Sequence, residues 1–129
     1  MPNIVLQRFK KLQRPLFREF SMAVANLCAQ HGFERNDVHI MELPFTRYSI
    51  GGELISGPND ESKTIVTIGW LAGKPEGLFH RIAAEISDAV LKSKTLKRAL
   101  GQLEFALVEQ HSDNCYIPGL RLPEDPPHP

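Results

Sequence analysis

The chain opens on a segment in which side chains alternate between two faces. In residues 2–9, Ile4 and Leu6 fall on one face and Val5 on the other, the period of two that is typical of a β-strand. Comparable apolar segments recur along the chain and lie between turn-forming residues. Four strands are therefore predicted, at about residues 2–9, 38–43, 64–71 and 103–110.

Two segments between these strands carry apolar residues at helical spacing. The first begins at Arg14-Pro15, where proline suits the first helical turn, and stops before Gly32. The second follows Lys74-Pro75 and ends near Leu91 or Lys92, and residues 94–100 add a further helical turn or two. Their apolar stripes are Leu16, Phe20, Val24 and Leu27 in the first, and Phe79, Ile82, Ala83, Ile86 and Val90 in the second.

The same strand, helix and strand order occurs twice, which predicts an internal repeat. The units cover about residues 2–60 and 61–117, and Pro15 and Pro75 stand sixty positions apart. Right-handed crossovers then give parallel strand pairs with both helices on one sheet face. The other face would expose Ile, Val and Leu side chains, so we expect another sheet or another subunit to cover it. The proline-rich segment 118–129 is predicted to be an extended arm or a disordered end.

Composition excludes several classes of protein. The 129 residues have a formal net charge of zero, which argues against a general nucleic-acid-binding surface. We expect neither a membrane span nor a signal peptide, and hence a cytoplasmic protein. Cys28 and Cys115 are expected to be free thiols. His111 and Cys115 are four positions apart, too few ligands for a zinc site, so no metal or cofactor is predicted.

Pro2, directly after Met1, is a candidate catalytic residue. Removal of the initiator methionine would leave a secondary amine at the start of the first strand. An α-amino group has a pKa of about 8, and burial in an apolar pocket disfavours its charged form and lowers that pKa. Such an amine can act as a general base. The alternative is that proline simply suits the first residue of a strand.

Together with Met1-Pro2 and the duplicated unit, residues 40–54 give the sequence a specific resemblance. Their Ile50-Gly51-Gly52-Glu53-Leu54 segment, preceded by an aromatic residue, resembles the tautomerase superfamily of the 4-oxalocrotonate tautomerase type. The second half is similar to longer, two-unit members of the macrophage migration inhibitory factor type. This resemblance, to a two-unit bacterial branch, spans most of residues 2–120. It implies an α+β fold of duplicated βαβ units, with a four-stranded mixed sheet, two helices on one face, and assembly as a homotrimer.

The resemblance also implies a site around Pro2 for a small anionic 2-oxo or enol acid. Tyr48 falls at the aromatic position of the tautomerase pocket, and Lys74 falls at one cationic position. Leu12 stands where the type member has an arginine, so the carboxylate clamp is incomplete in this sequence. Other cations that could attract the substrate carboxylate are Arg8, Lys10 and Arg47.

Two classes of function follow from these observations. The first is a keto-enol tautomerase, or a related decarboxylase or hydratase, in which the Pro2 amine moves a proton. The second is a non-enzymatic trimer or a ferredoxin-like binding module, because the ferredoxin-like fold has the same linear order of elements. The strands lack the aromatic motif of an RNA recognition sheet, which disfavours an RNA-binding version of that fold.

Overall fold

The computed structural model describes residues 2–45, 48–55 and 63–110. Its main elements are six strands and three α-helices, with a 3₁₀ turn at Arg35–Asp37 before β2. In chain order they are β1 (Asn3–Arg8), α1 (Arg14–Gln30), β2 (His39–Pro44), β3 (Tyr48–Ile50), β4 (Glu53–Ile55), β5 (Lys63–Leu71), α2 (Leu78–Lys92), α3 (Lys94–Leu100) and β6 (Gln102–Gln110). The proline-rich segment 118–129 lies outside the described residues.

A four-stranded mixed sheet in the order β2-β1-β5-β6 forms the centre of the fold. β1 pairs in parallel with β2, β5 pairs in parallel with β6, and the two units join through the antiparallel pair of β1 and β5. In a ferredoxin-like sheet another strand separates the two strands of each unit. Here they are direct neighbours, so the strand order excludes the ferredoxin-like alternative.

The helices pack on one face of the sheet because their apolar stripes match the buried positions of the strands. Ile4 and Leu6 of β1 and Val66 of β5 are fully buried on this face. The stripes of α1 and α2 repeat at a constant offset: each buried residue of the first has a counterpart 62 positions later in the second. These pairs are Phe20 and Ile82, Val24 and Ile86, and Cys28 and Val90.

The prolines that suggested the repeat are not equivalent, because α2 begins later than its sequence predicts. Pro15 lies within the first turn of α1, whereas α2 begins at Leu78, three residues after Pro75. Gly77 precedes α2 with a φ of 81°, a left-handed conformation that glycine adopts without strain. The turn from Pro75 to Leu78, closed by a backbone hydrogen bond of 3.2 Å, delays the helix.

A third helix, α3, joins the two predicted helices on the same face. Its Ser93 cap accepts a hydrogen bond from the Leu96 backbone N–H at 3.3 Å. Leu96 and Leu100 are buried in the core that α1 and α2 share. The helical layer therefore has three members rather than two, and the short segment predicted at residues 94–100 is one of them.

The Gly51-Gly52 pair forms the tight turn of a small hairpin. Ile50 pairs with Glu53 across a two-residue loop, and the two glycines have φ of 59° and 86°. Positive φ at both positions is the requirement of a type I′ turn, which matches the twist of the flanking strands. The glycine pair thus has a structural role, as a turn between extended segments.

The sheet face opposite the helices carries apolar side chains. Val5 of β1 pairs with Met41 of β2, and both point away from the helices, as does Val108 of β6. Met41 is 45% exposed and Val108 is 48% exposed, and Leu43 and Leu71 lie on the same face. Exposed apolar side chains grouped on one sheet face favour an interaction site there.

Cys28 is 1% exposed and belongs to the core, as its place on the helical stripe predicts. Burial raises the pKa of its thiol from 9.0 to about 11. Because the native pKa lies above the unfolded one, this thiol's contribution to stability is complete below pH 9 and is lost as the pH rises towards 11.

We therefore expect Cys28 to resist alkylation. In a Cys115→Ser background at pH 8, iodoacetamide should modify the native protein at least ~100-fold more slowly than the guanidinium-unfolded protein, since two pKa units remove that much thiolate. Mass spectrometry of timed samples gives both rates. Equal rates would show that Cys28 is accessible in the native state.

Candidate functional site

Pro2 lies at one end of the central strand pair and is almost wholly buried. Its carbonyl oxygen accepts a hydrogen bond of 3.1 Å from the His39 backbone N–H, which holds it beside the start of β2. Asn3 pairs with Gly69 in the antiparallel register, so extending the register by one residue puts Trp70 opposite Pro2. Like Ile4, Pro2 and Trp70 belong to the helix face of the sheet.

An aromatic and cationic cluster surrounds this end of the sheet. Trp70 is 3% exposed, and its ring stacks on Phe33 with ring centroids 5.8 Å apart and planes 20° apart. The ammonium of Lys74 lies 5.1 Å from the centroid of the Phe33 ring, within the range of a cation–π interaction. The cluster combines low polarity with a cation on its exposed side, which suits a small apolar acid.

Trp70 and Phe33 were not predicted as site residues. Trp70 stands on an apolar strand and Phe33 in the connection after α1, so both resemble core residues in the sequence. The signal that could have found Trp70 is the repeat itself. Each unit begins with a strand, and these two strands, β1 and β5, pair antiparallel. The end of β5, which carries Trp70, therefore lies beside the start of β1, which follows Pro2. The indole Nε1 of Trp70 is buried without a hydrogen-bond partner among the described residues.

Arg8 and Lys10 lie at the opposite end of β1 from Pro2. Arg8 follows Pro2 by six positions along extended chain, a distance of about 20 Å at the usual rise per residue. Arg8 is 5% exposed, and its Nη2 donates a hydrogen bond of 2.6 Å to the carbonyl oxygen of Ala99. The chain thus brings Lys74, but not Arg8 or Lys10, to the Pro2 end.

Tyr48 begins the small hairpin, and Arg47 directly before it lies outside the described residues. The chain leaves the four-stranded sheet at the end of β2 and then forms the hairpin. At this end of the sheet Pro44 pairs with Arg8, and the Phe45 backbone N–H donates to the Arg8 carbonyl oxygen at 3.0 Å. The chain therefore enters the hairpin from the sheet end opposite to Pro2.

Residues 2–45, 48–55 and 63–110 contain no group of three or more His, Cys, Asp or Glu side chains placed to hold a metal ion. Over the same residues, no helix has the length and apolarity needed to cross a bilayer.

Solved structures show the same architecture over nearly the whole chain. One is a fused 4-OT wild-type asymmetric trimer, and the alignment covers 92% of this chain and 94% of that one at a TM-score of 0.68 and 14% identity. The chain has the fold of the tautomerase superfamily. A domain of unknown function from Sebaldella termitidis shares the tautomerase fold at a TM-score of 0.64 and 14% identity, covering 93% of this chain and 98% of that one.

A third structure is a protein inactivated by 2-oxo-3-pentynoate. It shares the tautomerase fold at a TM-score of 0.65 and 14% identity, and the alignment covers 91% of this chain and 92% of the other. No family model and no curated protein matches the sequence. At this level of identity the comparisons show the fold, and the chemistry must be argued from the residues around Pro2.

Proposed function

We propose that this protein is a trimeric tautomerase in which the Pro2 amine moves a proton between oxygen and carbon of a small 2-oxo or enol acid. The burial of Pro2 opposite Trp70, at the sheet end that also carries Lys74, supports the proposal most strongly. Burial disfavours the ammonium form, and a nearby cation does the same, so both lower the pKa of the amine. A neutral amine at pH 7 is the form that a general base requires.

The proposed reaction conserves atoms and charge. The neutral Pro2 nitrogen takes the proton of the enol hydroxyl, and the oxygen forms the carbonyl double bond. The electron pair of the carbon–carbon double bond then takes the proton back from the nitrogen, at the carbon next to the new carbonyl. Lys74 holds the substrate carboxylate as a point charge, without the bidentate geometry that arginine provides. The stacked Phe33 and Trp70 rings lower the local dielectric and exclude water.

In the proposed trimer, the remaining candidate residues, Arg47 and Tyr48, contribute to the site of a neighbouring protomer. Because the hairpin leaves one protomer at the end opposite to Pro2, Arg47 and Tyr48 are assigned to the site of a neighbouring protomer. The apolar open face of the sheet supports such an assembly, since it would be covered there. The trimer of the fused 4-OT structure is a further reason to propose the same state for this chain.

Enol disappearance tests the proposed activity directly. Ultraviolet absorbance should show enzyme-dependent ketonisation of 2-hydroxymuconate or phenylpyruvate enol, above the rate in buffer alone. If neither these acids nor the related dehalogenase and decarboxylase substrates are turned over, a non-enzymatic trimer becomes the better account.

Lys74→Gln should raise KM for the acid substrate more than it lowers kcat. Hydrogen bonds to charged groups contribute about 1.5–3 kcal/mol, so kcat/KM should fall roughly tenfold or more. Lys97→Gln is the matched control, because it removes an exposed cation from α3, at the far end of the molecule. Initial rates over a range of substrate concentrations separate the two parameters. Equal kcat/KM for the two variants would remove Lys74 from the site.

A further inference from the structure

A second site lies at the other end of the β1–β5 pair. A cavity of about 690 Å³ opens between the end of β1, the start of α1 and α3, a size typical of small-molecule sites. Its walls carry cations and no acidic residue among the described lining residues. The cations are Arg8, Lys10, Lys11 and Arg98, and the apolar walls include Leu12, Pro15, Leu16 and Ala99.

The internal repeat relates this cavity to the Pro2 end of the molecule. At the 62-residue offset of the helices, Thr64 is the counterpart of Pro2 and Leu12 is the counterpart of Lys74. Thr64 pairs with Arg8 just as Trp70 stands opposite Pro2. Thr64 lies within the chain, so this end carries no chain-terminal amine. The Thr64 hydroxyl donates to the Leu100 carbonyl oxygen at 2.7 Å. The second end therefore has cations and apolar walls but no counterpart of the Pro2 amine.

The start of α1 adds to the positive potential of the cavity. The helix has 17 residues, no acidic residue in its first turn, and no side-chain hydrogen bond from its Gln13 cap. Its N-terminal dipole therefore favours an anion. Two carboxylates lie nearby: Glu42 accepts from the Leu12 backbone N–H at 2.7 Å, and Glu19 accepts from the Thr95 hydroxyl at 3.2 Å.

We propose that this cavity binds a small organic anion, a carboxylate or phosphomonoester with an apolar body, without transforming it. The charged group lies among Lys11, Arg98 and Arg8, and the apolar part lies against Leu12 and Leu16. The proposal goes beyond the tautomerase site, because it uses none of the residues around Pro2. It assigns the second half of the duplicated site to binding instead of catalysis.

Phenyl phosphate is a suitable probe, and benzyl alcohol is its neutral counterpart. In amide NMR spectra of the unaltered protein, phenyl phosphate should shift Gln13, Leu16 and Gly101, and benzyl alcohol should not. The Lys11→Gln/Arg98→Gln double variant should weaken this binding about tenfold, the scale expected from two partly exposed charges. Arg81→Gln, on α2 outside the cavity, should bind like the unaltered protein.

A Lys74→Gln variant separates this proposal from the catalytic one, because it should leave these shifts unchanged whether or not the protein is a tautomerase. The proposal is overturned if phenyl phosphate causes no shifts around the cavity. Equal binding by the double variant, or equally tight binding of benzyl alcohol, would also overturn it.

Discussion

Insertion of a lysine between Met1 and Pro2 should abolish most of the activity. A bulky second residue prevents removal of the initiator methionine, so the Pro2 nitrogen stays in a peptide bond and has no basic lone pair. Loss of a positioned general base lowers rates by roughly 10²- to 10⁴-fold, and we expect kcat for ketonisation to fall within that range. Stopped-flow or initial-rate measurements on the enol substrate give the ratio.

Two comparisons make the insertion result specific. Pro2→Ala keeps a terminal amine at the same place, so it should lose activity but retain more than the insertion variant. Both variants should keep the circular dichroism and the light-scattering mass of the unaltered protein, because the core of the fold begins at Ile4. An insertion variant with full activity would mean that Pro2 serves only to start β1.

Charges on the open sheet face should prevent assembly. In the double variant Met41→Glu/Val108→Glu, both edge strands of the sheet carry a carboxylate on the face that the proposed trimer would bury. Burial of an unpaired charge costs on the order of several kcal/mol, enough to disrupt a modest interface. Light scattering should report a trimer for the unaltered chain and a monomer for this variant.

The matched control introduces a charge on the helical side. Leu91 of α2 is 56% exposed, and Leu91→Glu should leave the trimer intact. The monomeric variant should also lose tautomerase activity, since the proposed site takes Arg47 and Tyr48 from a neighbour. A trimer that persists with both carboxylates in place would show that this sheet face is not the interface.

Most strands and helices of this fold can be predicted from the sequence, because each is indicated by the spacing of apolar residues within its own segment. The alternation around Ile4 and the stripe through Phe20 and Val24 are periodic, and burial follows each period. The sequence predicts too early a start for α2, because Pro75 suits a first helical turn, whereas Gly77 and the preceding turn set the boundary at Leu78. Helix ends depend on single backbone conformations and are the least predictable features of such a pattern.

The candidate site was less predictable because it depends on which strand ends meet. The strand rise alone could have shown that Arg8 lies about 20 Å from Pro2 along β1. The approach of Phe33 and Lys74 to Trp70 could not be predicted, because it follows from the antiparallel register of β1 and β5 and from the path of the chain after α1. Arg47 stays a prediction that lies outside the described residues.

The most direct test of a free Pro2 amine is mass spectrometry of the native protein before and after treatment with 2-oxo-3-pentynoate. In that reagent the alkyne is conjugated with the carbonyl, so the amine adds to an alkyne carbon, its proton goes to the neighbouring carbon, and nothing leaves. Our account predicts a chain that lacks Met1, a gain of one reagent mass, and an adduct located on Pro2 in the N-terminal peptide. Retention of Met1 in the protein from its own host, or a free Pro2 that stays unlabelled, would contradict it.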